Sequence, residues 1–142
     1  MFEIYCTKCG RPKQSEAEWR CVCGGPFESK QEKRFDKKLI RGEERSVWRY
    51  RAYLPDIPET ELTSLGEGGT PLLQLGRGEP NVLVKLEYVS PTGSFKDRGS
   101  TVLVSYAIGA AERLSVKKAI EDSSGNAGAS IAAYCARAGL QC

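Results

Sequence analysis

Apolar residues recur along this chain at two different periods, and each period predicts a different kind of element. In NVLVKLEY, Val82, Val84 and Leu86 alternate with their neighbours, the period-two pattern of a strand. The segment before it, LGEGGTPLLQL, reads as a glycine-rich turn over Gly66–Gly69 followed by a short apolar edge strand. From Phe95 to Leu114 the spacing lengthens, and Leu103, Tyr106, Ala107, Ala110 and Leu114 fall on one stripe, which predicts a helix. A second cycle follows: KKAIED as a short strand, SSGN as a turn, and AGASIAAYCARAG as a helix ended by Gly139. This order predicts an α/β unit with parallel strands and crossover helices.

Upstream the pattern is different. VWRYRAYLPDIP offers an apolar face of Val47, Trp48, Tyr50, Tyr53 and Leu54, terminated by two prolines, and reads as an arm that docks on the main unit. ESKQEKRFDKKLIRGEERS is mixed in charge and poor in apolar residues, so it reads as a solvated linker. The expected organisation is a small β-rich ribbon over residues 1–27, a charged linker and docking arm over 28–60, and the α/β unit over 61–142.

Composition narrows the function classes. Of 142 residues, 40% are hydrophobic and 27% charged, as in a soluble globular protein, and 21 basic against 18 acidic residues leave a net charge of +3, too balanced to imply nucleic acid. No apolar run approaches the roughly 20 residues that span a bilayer, and MFEIYCTKCG lacks the apolar core of a signal peptide, so a cytoplasmic protein is expected. The chain contains no histidine, which excludes Ser-His-Asp and Cys-His nucleophile activation within it. Covalent chemistry must then rest on lysine, cysteine, serine or threonine.

Cys6 and Cys9 form one close pair and Cys21 and Cys23 another, joined by a short polar connector, with glycine after each pair. Such pairs let four thiolates converge tetrahedrally, which predicts a structural metal site of the zinc-ribbon or rubredoxin kind, with zinc or iron as the ion. Disulfides are the alternative, disfavoured by a cytosolic setting. Cys135, among alanines on the second helix, reads as a buried small hydrophobe.

Two loops carry the remaining chemistry. PTGSFKDRGS sets Lys96 at the start of the first helix, where unpaired amides and the positive end of the dipole disfavour a cation. Lysines in unfavourable settings are the ones that form Schiff bases with aldehydes. EDSSGNAGAS is a strand, turn and helix start that offers amides and hydroxyls to an anion. Taken singly, each also reads as ordinary, an exposed first-turn lysine and a helix cap.

Together, SPTGSFKDRG and EDSSGNAGAS, preceded by LGEGGTPLL and WRYRAYLP and headed by the cysteine ribbon, resemble the N-terminal part of the threonine synthases, fold-type II pyridoxal-phosphate enzymes. The resemblance covers nearly the whole chain and implies a role for each matching residue. Lys96 matches the lysine that holds pyridoxal phosphate covalently, Phe95 precedes it, and Asn126 matches the partner of the cofactor's ring hydroxyl. Ser123, Ser124, Gly125, Asn126, Ala127 and Gly128 match the loop that binds the substrate carboxylate. The implied reaction converts O-phosphohomoserine and water to threonine and phosphate, with no nucleic acid or membrane partner.

The resemblance also marks what these residues lack. The family's later glycine-rich phosphate loop and the Ser/Thr facing the pyridine nitrogen have no counterpart here, so the chain alone is expected to be catalytically incompetent. An incomplete parallel sheet predicts exposed apolar edges that favour a homo-oligomer or the missing C-terminal half. Two alternatives stay open: a zinc-ribbon interaction module with a non-catalytic remnant, and another enzyme of the same fold type, a threonine dehydratase or cysteine synthase.

Overall fold

The computed structural model describes residues 3–30, 33–76, 81–115, 117–123 and 125–142. Strands β1 (Glu3–Cys6) and β2 (Phe27–Lys30) pair antiparallel, with Cys6 opposite Phe27 and Glu3 opposite Lys30. Two tight turns hang from this hairpin. In one, the amide of Gly10 donates to the carbonyl of Cys6 at 2.9 Å, and in the other that of Gly24 donates to Cys21 at 2.8 Å. Both glycines are left-handed, with φ of 73° and 79°, a conformation costly for any residue with a Cβ.

The linker is largely exposed, with one short 3-10 turn over Lys37–Leu39. The arm folds as a 3-10 segment, Val47–Tyr53, whose start is capped by Ser46, the side-chain oxygen accepting from the Trp48 amide at 3.2 Å. It docks on the glycine-rich loop. Val47 donates its amide to the carbonyl of Glu67 at 2.9 Å. Gly68, at φ of 124°, lies so close to the arm that a Cβ there would come within 2.8 Å of the Arg45 carbonyl oxygen.

Strands β3 (Leu72–Gln74) and β4 (Leu83–Lys85) form a second antiparallel pair. Helix α1 spans Asp97–Leu114 and α2 spans Asn126–Ala138, ended by left-handed Gly139 as the sequence predicts. The expected parallel strands are reduced to a single bridge between Lys118 and Gln141, so KKAIED is not a strand among the described residues. A strand is held by its neighbours' hydrogen bonds. Here Gln141 supplies one short contact, its carbonyl accepting from the Ala119 amide at 2.8 Å.

The two helices pack side by side. Ser100 meets Ser130, Val104 packs with Tyr134 and Cys135, and Ile108 and Ala138 join the same cluster. Both series advance by four residues in the same direction, so α1 and α2 run parallel and their N-termini lie at one end. The buried face of α1 is Asp97, Ser100, Thr101, Val104, Ser105 and Gly109, not the stripe expected from apolar size. Leu103, a member of that stripe, is 53% exposed and lines an open groove of about 870 Å³ between α1, the arm and the first hairpin. Hydroxyls win the buried face because they satisfy backbone groups that no apolar side chain could: Thr101 donates to the Thr63 carbonyl, and Ser105 accepts from the Thr63 amide at 2.8 Å.

Among the described residues no helix is long and apolar enough to cross a membrane.

Candidate functional site

Lys96 is the residue on which α1 starts, itself in helical conformation. The loop before it is drawn onto the helix from several points. The Gly93 amide donates to the Ser90 carbonyl at 2.8 Å, and the Lys96 amide donates to Ser94 Oγ at 3.3 Å. Asp97, fully buried, accepts from the Thr92 amide at 2.8 Å and from the Thr92 hydroxyl. With its neighbours fixed, the Lys96 side chain projects outward. It is exposed, its Nζ stands 5.0 Å from the centre of the Phe95 ring, and among the described residues it has no carboxylate partner.

Arg98 faces elsewhere. Its guanidinium makes a two-point bond to Glu87, Nε to Oε2 at 2.8 Å and Nη2 to Oε1 at 2.9 Å, and Thr70 donates to the same carboxylate at 2.7 Å. Arg98 first, then Thr70, hold the Glu87 carboxyl down at about 2. Asp97 and Arg98, the two charged residues after Lys96, are therefore occupied with structural partners.

The second loop ends at Gly125, and Asn126 begins α2. Ser123 Oγ accepts from the Gly125 amide at 3.3 Å, and a Cβ on Gly128 would sit 3.1 Å from the Ser123 carbonyl oxygen, so the loop folds closely back over the first turn. Ser123, Gly125 and Asn126 are exposed, and Ala127 and Gly128 are half-buried. Ser124 lies outside the described residues.

Parallel packing brings these two loops to one end of the helix pair. Ser130 Oγ donates to Asp97 Oδ1 at 2.6 Å, and the Ser100 and Ser130 hydroxyls are hydrogen-bonded at 2.8 Å, all three residues being buried. Ser100 is one turn beyond Lys96 and Ser130 one turn beyond Asn126, so this contact joins the two helix starts. A further buried carboxylate, Glu67, accepts from Tyr134 Oη at 2.7 Å, from the Leu65 amide at 3.0 Å and from Ser64 Oγ at 3.1 Å. Burial, with Glu67 against it, pushes the Tyr134 phenol far up, so it stays a donor. Sequence reading missed the network of Asp97, Ser100 and Ser130, and missed Glu67 as a separate buried carboxylate. The available signal was small hydroxyl residues four positions after each candidate residue.

The residues present fit the aldehyde end of a pyridoxal-phosphate cofactor. They offer an accessible amine beside an aromatic ring, at the joined positive ends of two helices, where an anion is favoured.

The four ribbon cysteines converge, with all four sulfurs within 4.8 Å of one another. Cys6 and Cys23 are 3.5 Å apart and Cys9 and Cys21 3.7 Å. Four thiolates around one zinc at about 2.3 Å stand roughly 3.8 Å apart, whereas a disulfide needs about 2.05 Å. The spacing fits a tetrahedral ion, and the described cysteines are free thiols. Gly25 completes the cradle, because a Cβ there would come within 2.6 Å of Cys6 Sγ. Arg11 Nε donates to Cys21 Sγ at 3.5 Å and pulls that thiol down to about 6.

A protein-family model described as pyridoxal-phosphate dependent enzyme matches residues 63–142, which hold Lys96, both helices and the glycine-rich loop. The chain belongs to this family. Within the pyridoxal-phosphate family it is similar to threonine synthases. It is 42% identical to that of Methanocaldococcus jannaschii over 149 aligned positions, covering 96% of this chain and 36% of the relative. It is 35% identical to that of Methanosarcina acetivorans, covering 99% of this chain and 36% of the relative. With the enzyme of Halalkalibacterium halodurans it shares 42% identity, over 68% of this chain and 29% of the relative. The chain thus spans about a third of the length of these curated relatives.

Proposed function

We propose that the chain is the lysine-bearing part of a cytoplasmic threonine synthase, which converts O-phosphohomoserine and water to threonine and phosphate. The observation that carries this reading is the parallel packing of α1 and α2, with Lys96 and Asn126 on adjacent helix starts. The threonine synthase relatives favour it over a dehydratase or a cysteine synthase.

When bound, pyridoxal phosphate supplies an electron sink for negative charge developing at the substrate's Cα and Cβ. Lys96 would hold the cofactor's aldehyde end through Nζ, and the same amine would move protons at the substrate. Phe95 flanks that amine, and Asn126 hydrogen-bonds the ring hydroxyl. Ser123, Ser124, Gly125, Asn126, Ala127 and Gly128 receive the substrate carboxylate on amides and hydroxyls at the start of α2. Cys6, Cys9, Cys21 and Cys23 hold a structural zinc ion with no open coordination position. The family match over residues 63–142 supports treating that stretch as the cofactor unit.

The purified chain is incubated with pyridoxal phosphate, reduced with borohydride and mapped by mass spectrometry. Preferential modification of Lys96 is expected, and modification spread evenly over the lysines overturns the cofactor assignment. Assayed alone with O-phosphohomoserine, the chain is expected to form no threonine, since it spans about a third of its relatives. Measurable threonine would refute its dependence on further sequence.

A further inference from the structure

The buried contact between the helix starts has a function if the lysine does, and this inference rests on the cofactor reading above. We infer that Asp97 and Ser130 are positioning residues that hold Lys96 and Asn126 in register toward one ligand. Asp97 is the residue immediately after Lys96 and is fully buried, yet it is a carboxylate. A buried carboxylate persists only where donors surround it. Its three donors come from two places: the Thr92 amide and hydroxyl from the loop before Lys96, and the Ser130 hydroxyl from α2. Ser100, one turn along α1, shares the Ser130 oxygen.

The geometry ties three otherwise separate pieces to one charge. Moving the Lys96 loop away from α1 breaks the Thr92 bonds, and sliding α2 along α1 breaks the Ser130 bond. Either motion leaves a buried charge short of a donor, so the register is resisted more strongly than apolar packing alone would resist it. Val104, Tyr134 and Cys135 pack further along the pair, and such apolar contacts tolerate small shifts. Register at the site end is thus assigned to hydrogen bonds, and cohesion to the core below.

Ser130→Ala removes the α2 donor while conserving the volume closely. In the labelling experiment above, it is expected to slow Lys96 modification about tenfold, toward the rate of the other exposed lysines. Hydrogen exchange should accelerate in the first turns of both helices together, while the amides of Val104 and Tyr134 keep their protection. Asn126→Ala should slow Lys96 modification in the unsubstituted chain and have no further effect beside Ser130→Ala, because the register that couples the two is already lost. A merely structural serine would not erase that coupling. Should Ser130→Ala lose core protection, Thr92→Val removes a donor from the loop alone, and a severalfold slower Lys96 reaction is expected from it.

Unchanged Lys96 preference in Ser130→Ala, or in Thr92→Val where that variant is needed, overturns the inference alone. Effects of Asn126→Ala that add independently to those of Ser130→Ala overturn it as well. No preference for Lys96 in the unsubstituted chain overturns the cofactor reading and the positioning role with it.

Discussion

Glu87 and Gly25 make the strongest single-residue statements. Glu87 has its carboxyl held at about 2 by Arg98 and Thr70, below the ordinary 4.5. A depressed value means that the pair contributes stability above about 4.5 and loses it as the pH falls toward about 2. Unfolding midpoints measured from about pH 6 down to pH 2 should therefore fall more steeply in the unsubstituted chain than in Glu87→Gln, which has no proton to take up there. Gly25→Ala should weaken zinc binding at least tenfold in a competition with a colorimetric chelator, because its Cβ would press within 2.6 Å of Cys6 Sγ. Cys135 needs no such protection: burial, and then Cys142, push its thiol up to about 11, in keeping with the small hydrophobe its alanine-rich setting predicts. At this scale the sequence was most legible where a residue type has few uses, as with paired cysteines. It was least legible for Asp97 and Glu67, because burial of a charge depends on donors that arrive from distant segments.

The elements were legible in proportion to how local their causes are. Helix α2 and its stop at Gly139 follow from nearby residues, and so do the existence and extent of α1. Which face α1 buries does not, since Thr101 and Ser105 serve the backbone of Thr63, about forty positions earlier. The strand expected at KKAIED failed for a similar reason: among the described residues its bridge partner is Gln141. The Tyr134 hydroxyl joins α2 to the loop under the arm through Glu67. Tyr134→Phe keeps the ring and removes one donor from a buried carboxylate, so a loss of about 1–3 kcal/mol is expected in denaturant unfolding. A loss below about 0.5 kcal/mol would mean that Glu67 is satisfied by Ser64 and Leu65 alone.

For the whole molecule, exposed apolar surface is the main property. The second hairpin has Leu72, Leu73, Leu83 and Val84 all substantially exposed, and Ile120 is 95% exposed. Two strands with uncovered faces are marginal in water, and such surface favours association. Sedimentation velocity is expected to show concentration-dependent self-association, suppressed by Leu73→Lys with Leu83→Lys. A monodisperse monomer at high concentration would contradict this. The ribbon, by contrast, is anchored to the helix pair by Arg113, which donates to Glu16 at 2.6 Å and 2.9 Å across 97 positions of sequence. That separation has a consequence for how the protein is made. The ribbon hairpin is complete at Lys30, whereas Arg113 emerges from the ribosome roughly 80 residues later, about 4–16 s at ordinary rates of synthesis. A hairpin that closes during that interval has Glu16 in place when the last turn of α1 arrives, so this ion pair joins the first-translated part of the chain to one made much later.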